Sequence, residues 1–210
     1  MNLDNISDSL KKRLSLPLPG DLAHALLRAI PVGDVTPEFD HKLPPRPGGV
    51  LILLYQQGSE IKFPLIKRQE YLGAHSGQIS LPGGKAEPGE DSVMAALREG
   101  EEEIGINREE PNVLGTLSNF VVIPSNFMIT PVVATLTNKP VFKPDSYEVA
   151  KILFYSLEDL IKEDAIQRRE ILAGGKFRMM APHFAIEGEI VWGATAMMLN
   201  EFRSILLDII

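Results

Sequence analysis

Between Pro82 and Ile106 the chain passes through a Pro-Gly-Gly bend and a short loop into a segment of helical period bearing Glu99, Glu101, Glu102 and Glu103. Val93, Leu97, Gly100 and Ile104 fall at i, i+4, i+7 and i+11, a single inward stripe that commits one face to a core. At roughly 100° per residue, Glu99 and Glu103 stand about 40° apart on another face, with Glu102 beside both. Like charges one turn apart cost an isolated helix about 0.2 to 0.5 kcal/mol per pair. That repulsion serves a purpose only if a cation sits among the carboxylates. Hard oxygen ligands at this spacing suit Mg²⁺ or Mn²⁺. A solvated acidic face is the plainer reading of the same charges.

Gly84, Glu90, Arg98, Glu99, Glu102, Glu103, Gly105 and Ile106 follow the order G-x5-E-x7-R-E-U-x-E-E-x-G-U, with U a bulky aliphatic. The stretch resembles the box of the Nudix hydrolases, and a chance match at a given start is on the order of 10⁻⁸ at average residue frequencies. Gly100 departs at the first U, a packing change costing about 1 kcal/mol of helix propensity against Ala. The resemblance implies an α/β/α sandwich with a mixed sheet and the hydrolysis of a diphosphate. It also implies Mg²⁺ or Mn²⁺ held by Glu99, Glu102 and Glu103, with Arg98 orienting a glutamate. Glu148, opening a later strand, matches a glutamate that supplies a further metal ligand or the general base in several members. The base is then one of Glu102, Glu103 and Glu148. Gly83 and Gly84 let backbone amides approach a phosphate closely.

The polar run from Arg68 to Gly84 is too long for a mere connection. Leu65, Arg68, Gly77, Pro82, Gly83 and Gly84 resemble the pattern L-L-T-x-R-[S/A]-x3-R-x3-G-x3-F-P-G-G of the coenzyme A pyrophosphatase branch. Pro64, Ile66, Gln69, Gly73 and Leu81 depart from it, and Gly73 replaces an arginine able to fork a phosphate. Arg68, Lys67 and His75 remain as phosphate binders, each equally readable as a solvated loop residue. Ile123–Pro131 and Trp192–Ala196 resemble the same branch. The implied reaction splits coenzyme A or an acyl-CoA into 3′,5′-ADP and a 4′-phosphopantetheine compound. Alternatives are another nucleoside diphosphate derivative, such as ADP-ribose or a dinucleoside polyphosphate, or a nucleotide sensor without turnover.

A net charge of −7 offers no basic surplus for a nucleic acid. The absence of cysteine excludes disulfides and thiolate sites. No apolar run reaches the roughly 18 residues of a membrane span, and the first residues lack a signal pattern, so a cytoplasmic protein is expected. Amphipathic helices are expected at 7–16, capped by Ser7, and at 20–30, with a Pro/Gly-rich connector over 31–49. Residues 1–45 read as an N-terminal helical extension, packed on the main domain or serving as the arm of a homodimer, and 46–210 as the main domain. Strands are expected at 50–55, 61–68, 113–122, 127–136 and 148–156, a hairpin at 177–192, and helices at 157–162 and 193–209. Periodicity alone supports α/β or α+β.

Overall fold

The computed structural model describes residues 2–33, 38–70 and 76–210. It begins with helices α1 (Leu3–Leu14) and α2 (Asp21–Leu26), followed by strands β1 (Ile30–Pro31), β2 (Arg46–Gln57), β3 (Glu60–Arg68), β4 (Ile79–Ser80) and β5 (Gly83–Lys85). The acidic helix α3 (Ser92–Ile104) leads to β6 (Asn112–Thr116), β7 (Phe120–Val122), β8 (Phe127–Leu136) and β9 (Val149–Ser156). Then come α4 (Leu157–Ile161), β10 (Ile166–Ala173), β11 (Phe177–Ile186), β12 (Glu189–Trp192) and α5 (Gly193–Leu207).

β2 is the spine. Its run Val50–Tyr55 is buried at every position, as befits a strand covered on both faces. Leu51, Leu53 and Tyr55 join the core beneath α3, while Val50, Ile52 and Leu54 join the core shared with α1 and α5. In the eight-stranded sheet the order is β4-β3-β2-β8-β6, with β5 on β2, β7 on β8 and β9 on β3. β2 and β8 run parallel and the other pairs antiparallel, so the sheet is mixed and layered α/β/α.

Several boundaries differ from the sequence reading. α1 begins at Leu3, because Asn2 accepts hydrogen bonds from the Asp4 and Asn5 amides and so caps it. Ser7 is inside the helix, its hydroxyl donating to the Leu3 carbonyl at 2.7 Å. α2 stops at Leu26 rather than running to 30, since Pro31 disfavours helical geometry at Ile30, which pairs instead with Met180. β2 starts at Arg46, four residues inside the expected connector. Its Gly48 and Gly49 have no side chains to meet the Gly84 and Ser92 carbonyls, on which a Cβ would collide. The expected strand 113–122 breaks into β6 and β7. Between them the Ser118 hydroxyl donates to buried Glu201 at 2.6 Å. Glu201 also accepts the Gly20 amide at 3.0 Å and meets His24 Nε2 at 2.9 Å, latching α2 onto α5.

A second sheet, four-stranded, was not legible as such. It has the order β1-β11-β10 with β12 on β11, and it sends Phe184, Ile186 and Val191 into the core shared with α1 and α5. Among the described residues no helix is long and apolar enough to cross a membrane.

Candidate active site

The α3 helix is built to sit tightly on the sheet. Asp91 caps it, accepting the Met94 amide at 2.8 Å, and Gly105 ends it in left-handed geometry at φ 72°. Ala96, Gly100 and Ile104 are its buried face, while Val93 and Leu97 pack at the margin. A Cβ on Gly100 would stand 2.9 Å from Leu51 Cδ2, so a bulky aliphatic there would push the helix off β2. The glycine's intrinsic cost is offset by this close approach, and the helix runs unbroken through it.

Close seating brings the carboxylates onto the glycine bend. Glu103 is 1% exposed, and its Oε2 accepts the Gly83 amide at 2.7 Å. Glu99 lies over Gly84, where an added Cβ would stand 2.5 Å from the carboxylate. Glu148, just before β9, arrives from the other side. Ligand oxygens of Glu99, Glu103 and Glu148 lie within 4.8 Å of one another. Burial above all pushes the Glu103 carboxyl up to about 8, with Glu99 and Glu148 adding repulsion against the relief from Arg68 and the Gly83 amide. Burial also raises Glu99, despite Arg98, and the Glu102 and Glu148 charges act in the same direction. A site that gathers three acids and disfavours the ionisation of Glu99 and Glu103 fits a hard divalent cation, which offsets both the repulsion and the burial.

Glu102 does not join this cluster. Its side chain is 57% exposed and turns to Arg98 Nη1 at 2.9 Å. Arg98 is the organiser: Nε and Nη2 fork onto Glu90 at 2.9 and 3.1 Å, Nη1 reaches Glu99 and Glu102, and Nη2 also reaches the Lys85 carbonyl. With all its donors engaged, Arg98 has none to offer a substrate. The fork holds Glu90 well below the usual carboxylate range and keeps Arg98 charged.

Arg68 is at the cluster, its Nη2 3.3 Å from the Gly83 carbonyl and 3.8 Å from Glu103 Oε1. Lys67 is not, since its ammonium bonds Glu189 at 2.6 Å. His75 lies outside the described residues. The sequence reading missed Asp145, which organises the turn carrying Glu148. Asp145 Oδ1 accepts the Tyr147 and Glu148 amides at 2.8 and 3.1 Å, and its own amide donates to the Glu103 carbonyl at 3.0 Å. An Asp whose side chain can reach amides two and three residues on is a recognisable turn signal.

These features define a class: an α/β/α protein with three carboxylates, on a helix and at a strand's start, gathered at a glycine bend where they could hold a divalent cation. The chain belongs to the Nudix family, its residues 45–174 matching the NUDIX domain. It is 32% identical to Nudix hydrolase 3 of Caenorhabditis elegans over 122 residues, 57% of this chain and 51% of that protein. It is 33% identical to the mitochondrial coenzyme A diphosphatase NUDT8 of Homo sapiens over 145 residues, 68% of this chain and 61% of that protein. The chain thus spans between half and two thirds of the length of these curated relatives. A solved Nudix hydrolase from M. smegmatis, RenU, shares the fold with a TM-score of 0.55 at 16% identity, over 80% of this chain and 89% of that one.

The seating of Glu99 gives a direct test. Gly84→Ala should leave the thermal midpoint within a few degrees, because the colliding group is the free end of a side chain and Gly84 is not in left-handed geometry. Affinity for Mn²⁺ should fall about 10- to 100-fold, the range seen when a ligand's support is lost. Calorimetric titration with Mn²⁺ reads it, and unaltered affinity would remove Glu99 from the site.

Proposed function

We propose that this protein hydrolyses the diphosphate linkage of coenzyme A or an acyl-CoA, releasing 3′,5′-ADP and a 4′-phosphopantetheine compound. The convergence of Glu99, Glu103 and Glu148 on one point is the observation that carries the hydrolytic part. The substrate part is supported by similarity to the human coenzyme A diphosphatase and by the pattern from Leu65 to Gly84. A bound Mg²⁺ or Mn²⁺ would neutralise charge on the diphosphate and lower the pKa of a bound water. Glu99 and Glu103 are the residues to hold it, while Glu102 acts through Arg98. Glu148 is exposed and has no ion pair among the described residues, which suits it to accept the proton of the attacking water. Arg68 spends one donor on the Gly83 carbonyl and keeps others for a substrate phosphate. All these residues fall in 46–210, which we assign to the hydrolase domain, with 1–45 as its extension.

Gly73 in place of the second arginine favours a second reading, a different nucleoside diphosphate derivative. Chromatography of the products from coenzyme A, dephospho-CoA, ADP-ribose and a dinucleoside polyphosphate separates the two. We expect 3′,5′-ADP from coenzyme A with Mg²⁺ or Mn²⁺ and none with chelator. Faster cleavage of ADP-ribose or the dinucleotide selects the second reading. Nucleotide binding without any hydrolysis would make the protein a sensor.

A further inference from the structure

Tyr147 stands next to Glu148 and is 88% exposed, the ring open to solvent although its backbone is tied down. Asp145 Oδ1 accepts the Tyr147 and Glu148 amides, and the Val149 amide returns to the Asp145 carbonyl at 2.9 Å. On the helix side, the Lys143 and Asp145 amides donate to the Ile104 and Glu103 carbonyls at 2.9 and 3.0 Å. Gly105 permits this docking, since a Cβ there would stand 2.8 Å from the Lys143 carbonyl. On the strand side, the Gln69 amide donates to the Glu148 carbonyl and the Gln69 side chain to the Ser146 carbonyl, both at 3.0 Å. The turn is thus clamped between the end of α3 and the end of β3. These bonds fix the backbone from which the Glu148 side chain enters the cluster, and the root of an uncovered aromatic ring at the neighbouring position.

We infer that Tyr147 is the platform on which the nucleobase of a nucleoside diphosphate stacks while its phosphates lie at the Glu99–Glu103–Glu148 cluster. The inference rests on the hydrolase reading for the position of the phosphates. An aromatic face binds any base through its π-surface, and a ring held by a rigid turn loses little freedom on stacking. Among the described residues the phenol makes no hydrogen bond or ring contact. Its apolar face gains a partner when a base arrives.

The test compares Tyr147→Ala and Tyr147→Phe with the wild type on coenzyme A and on a diphosphate diester lacking a base. Tyr147→Ala should raise KM for coenzyme A about tenfold, the scale of one lost stack, with kcat changed less than twofold. KM for the base-free diester should not move, and Tyr147→Phe should restore the wild-type KM. A second arm titrates 5′-AMP calorimetrically in Mg²⁺ and needs no turnover: the wild type should bind about tenfold more tightly than Tyr147→Ala. Equal KM shifts for both substrates, a loss confined to kcat, or the same 5′-AMP affinity in both proteins would overturn the stacking role. Failure of hydrolysis with the 5′-AMP difference intact would instead sink the hydrolase reading alone.

Discussion

Glu103→Gln is expected to lower kcat by at least about 100-fold while leaving the fold intact. The substituted amide keeps an oxygen to accept the Gly83 amide now held at 2.7 Å, so the contact between α3 and the bend survives. What disappears is the negative charge at the most buried point of the cluster, where a cation would be gripped. Circular dichroism should overlay the wild type, and single-turnover kinetics in saturating Mg²⁺ should carry the loss. Wild-type turnover in this variant would take Glu103 out of the mechanism.

The same substitution has a signature in stability. In chelator, the folded protein holds the Glu103 carboxyl at about 8 against an ordinary value of 4.5, so the native state retains a proton that the unfolded chain has released. The sign follows: this group's contribution is fully present below the unfolded value and is lost as pH rises through the folded one. Between those limits a single proton difference gives a slope of about 1.4 kcal/mol per pH unit. Denaturant melts of the wild type should weaken by that slope relative to Glu103→Gln across pH 4.5 to 8. Parallel pH profiles would show that Glu103 ionises as freely as a surface acid.

The parts legible in the sequence were those fixed by local spacing. Glu99 and Glu103 are one turn apart on any helix, so their common direction follows from period alone. Val50–Tyr55 could be read as a doubly buried strand because every residue is apolar. Glu102 was less readable: helix geometry places it beside its neighbours, but a long side chain chooses among partners, and Arg98 outbids the cluster. β10 escaped because Gln167, Arg168, Arg169 and Glu170 show no alternation, and the strand exists through its pairing with β11 rather than through its own pattern. Gly48 and Gly49 looked like a connector for the reason that makes them useful, the lack of side chains where two backbones nearly touch.

Arg98→Ala should produce the largest stability loss, about 3 kcal/mol or more, because one deletion strips partners from three carboxylates and a carbonyl. Glu102 is exposed and will recover water, but the side chains of Glu90 and Glu99 are only 14% and 16% exposed and will not recover it fully. For a chain of this size that loss lowers the thermal midpoint by about 6 to 12 °C. Arg98→Lys separates charge from geometry. An ammonium keeps the cation but cannot span Glu90, Glu99 and Glu102 as the planar fork does. The lysine variant should therefore fold with a smaller loss of midpoint, yet need about tenfold more Mg²⁺ for half-maximal activity because Glu99 is no longer held in place. Saturating Mg²⁺ should return most of kcat, since Arg98 has no donor left for the substrate. If kcat stays depressed at saturating metal, Arg98 acts on the reacting groups themselves. If Arg98→Ala melts with the wild type, the carboxylates have found other partners and the fork is decoration.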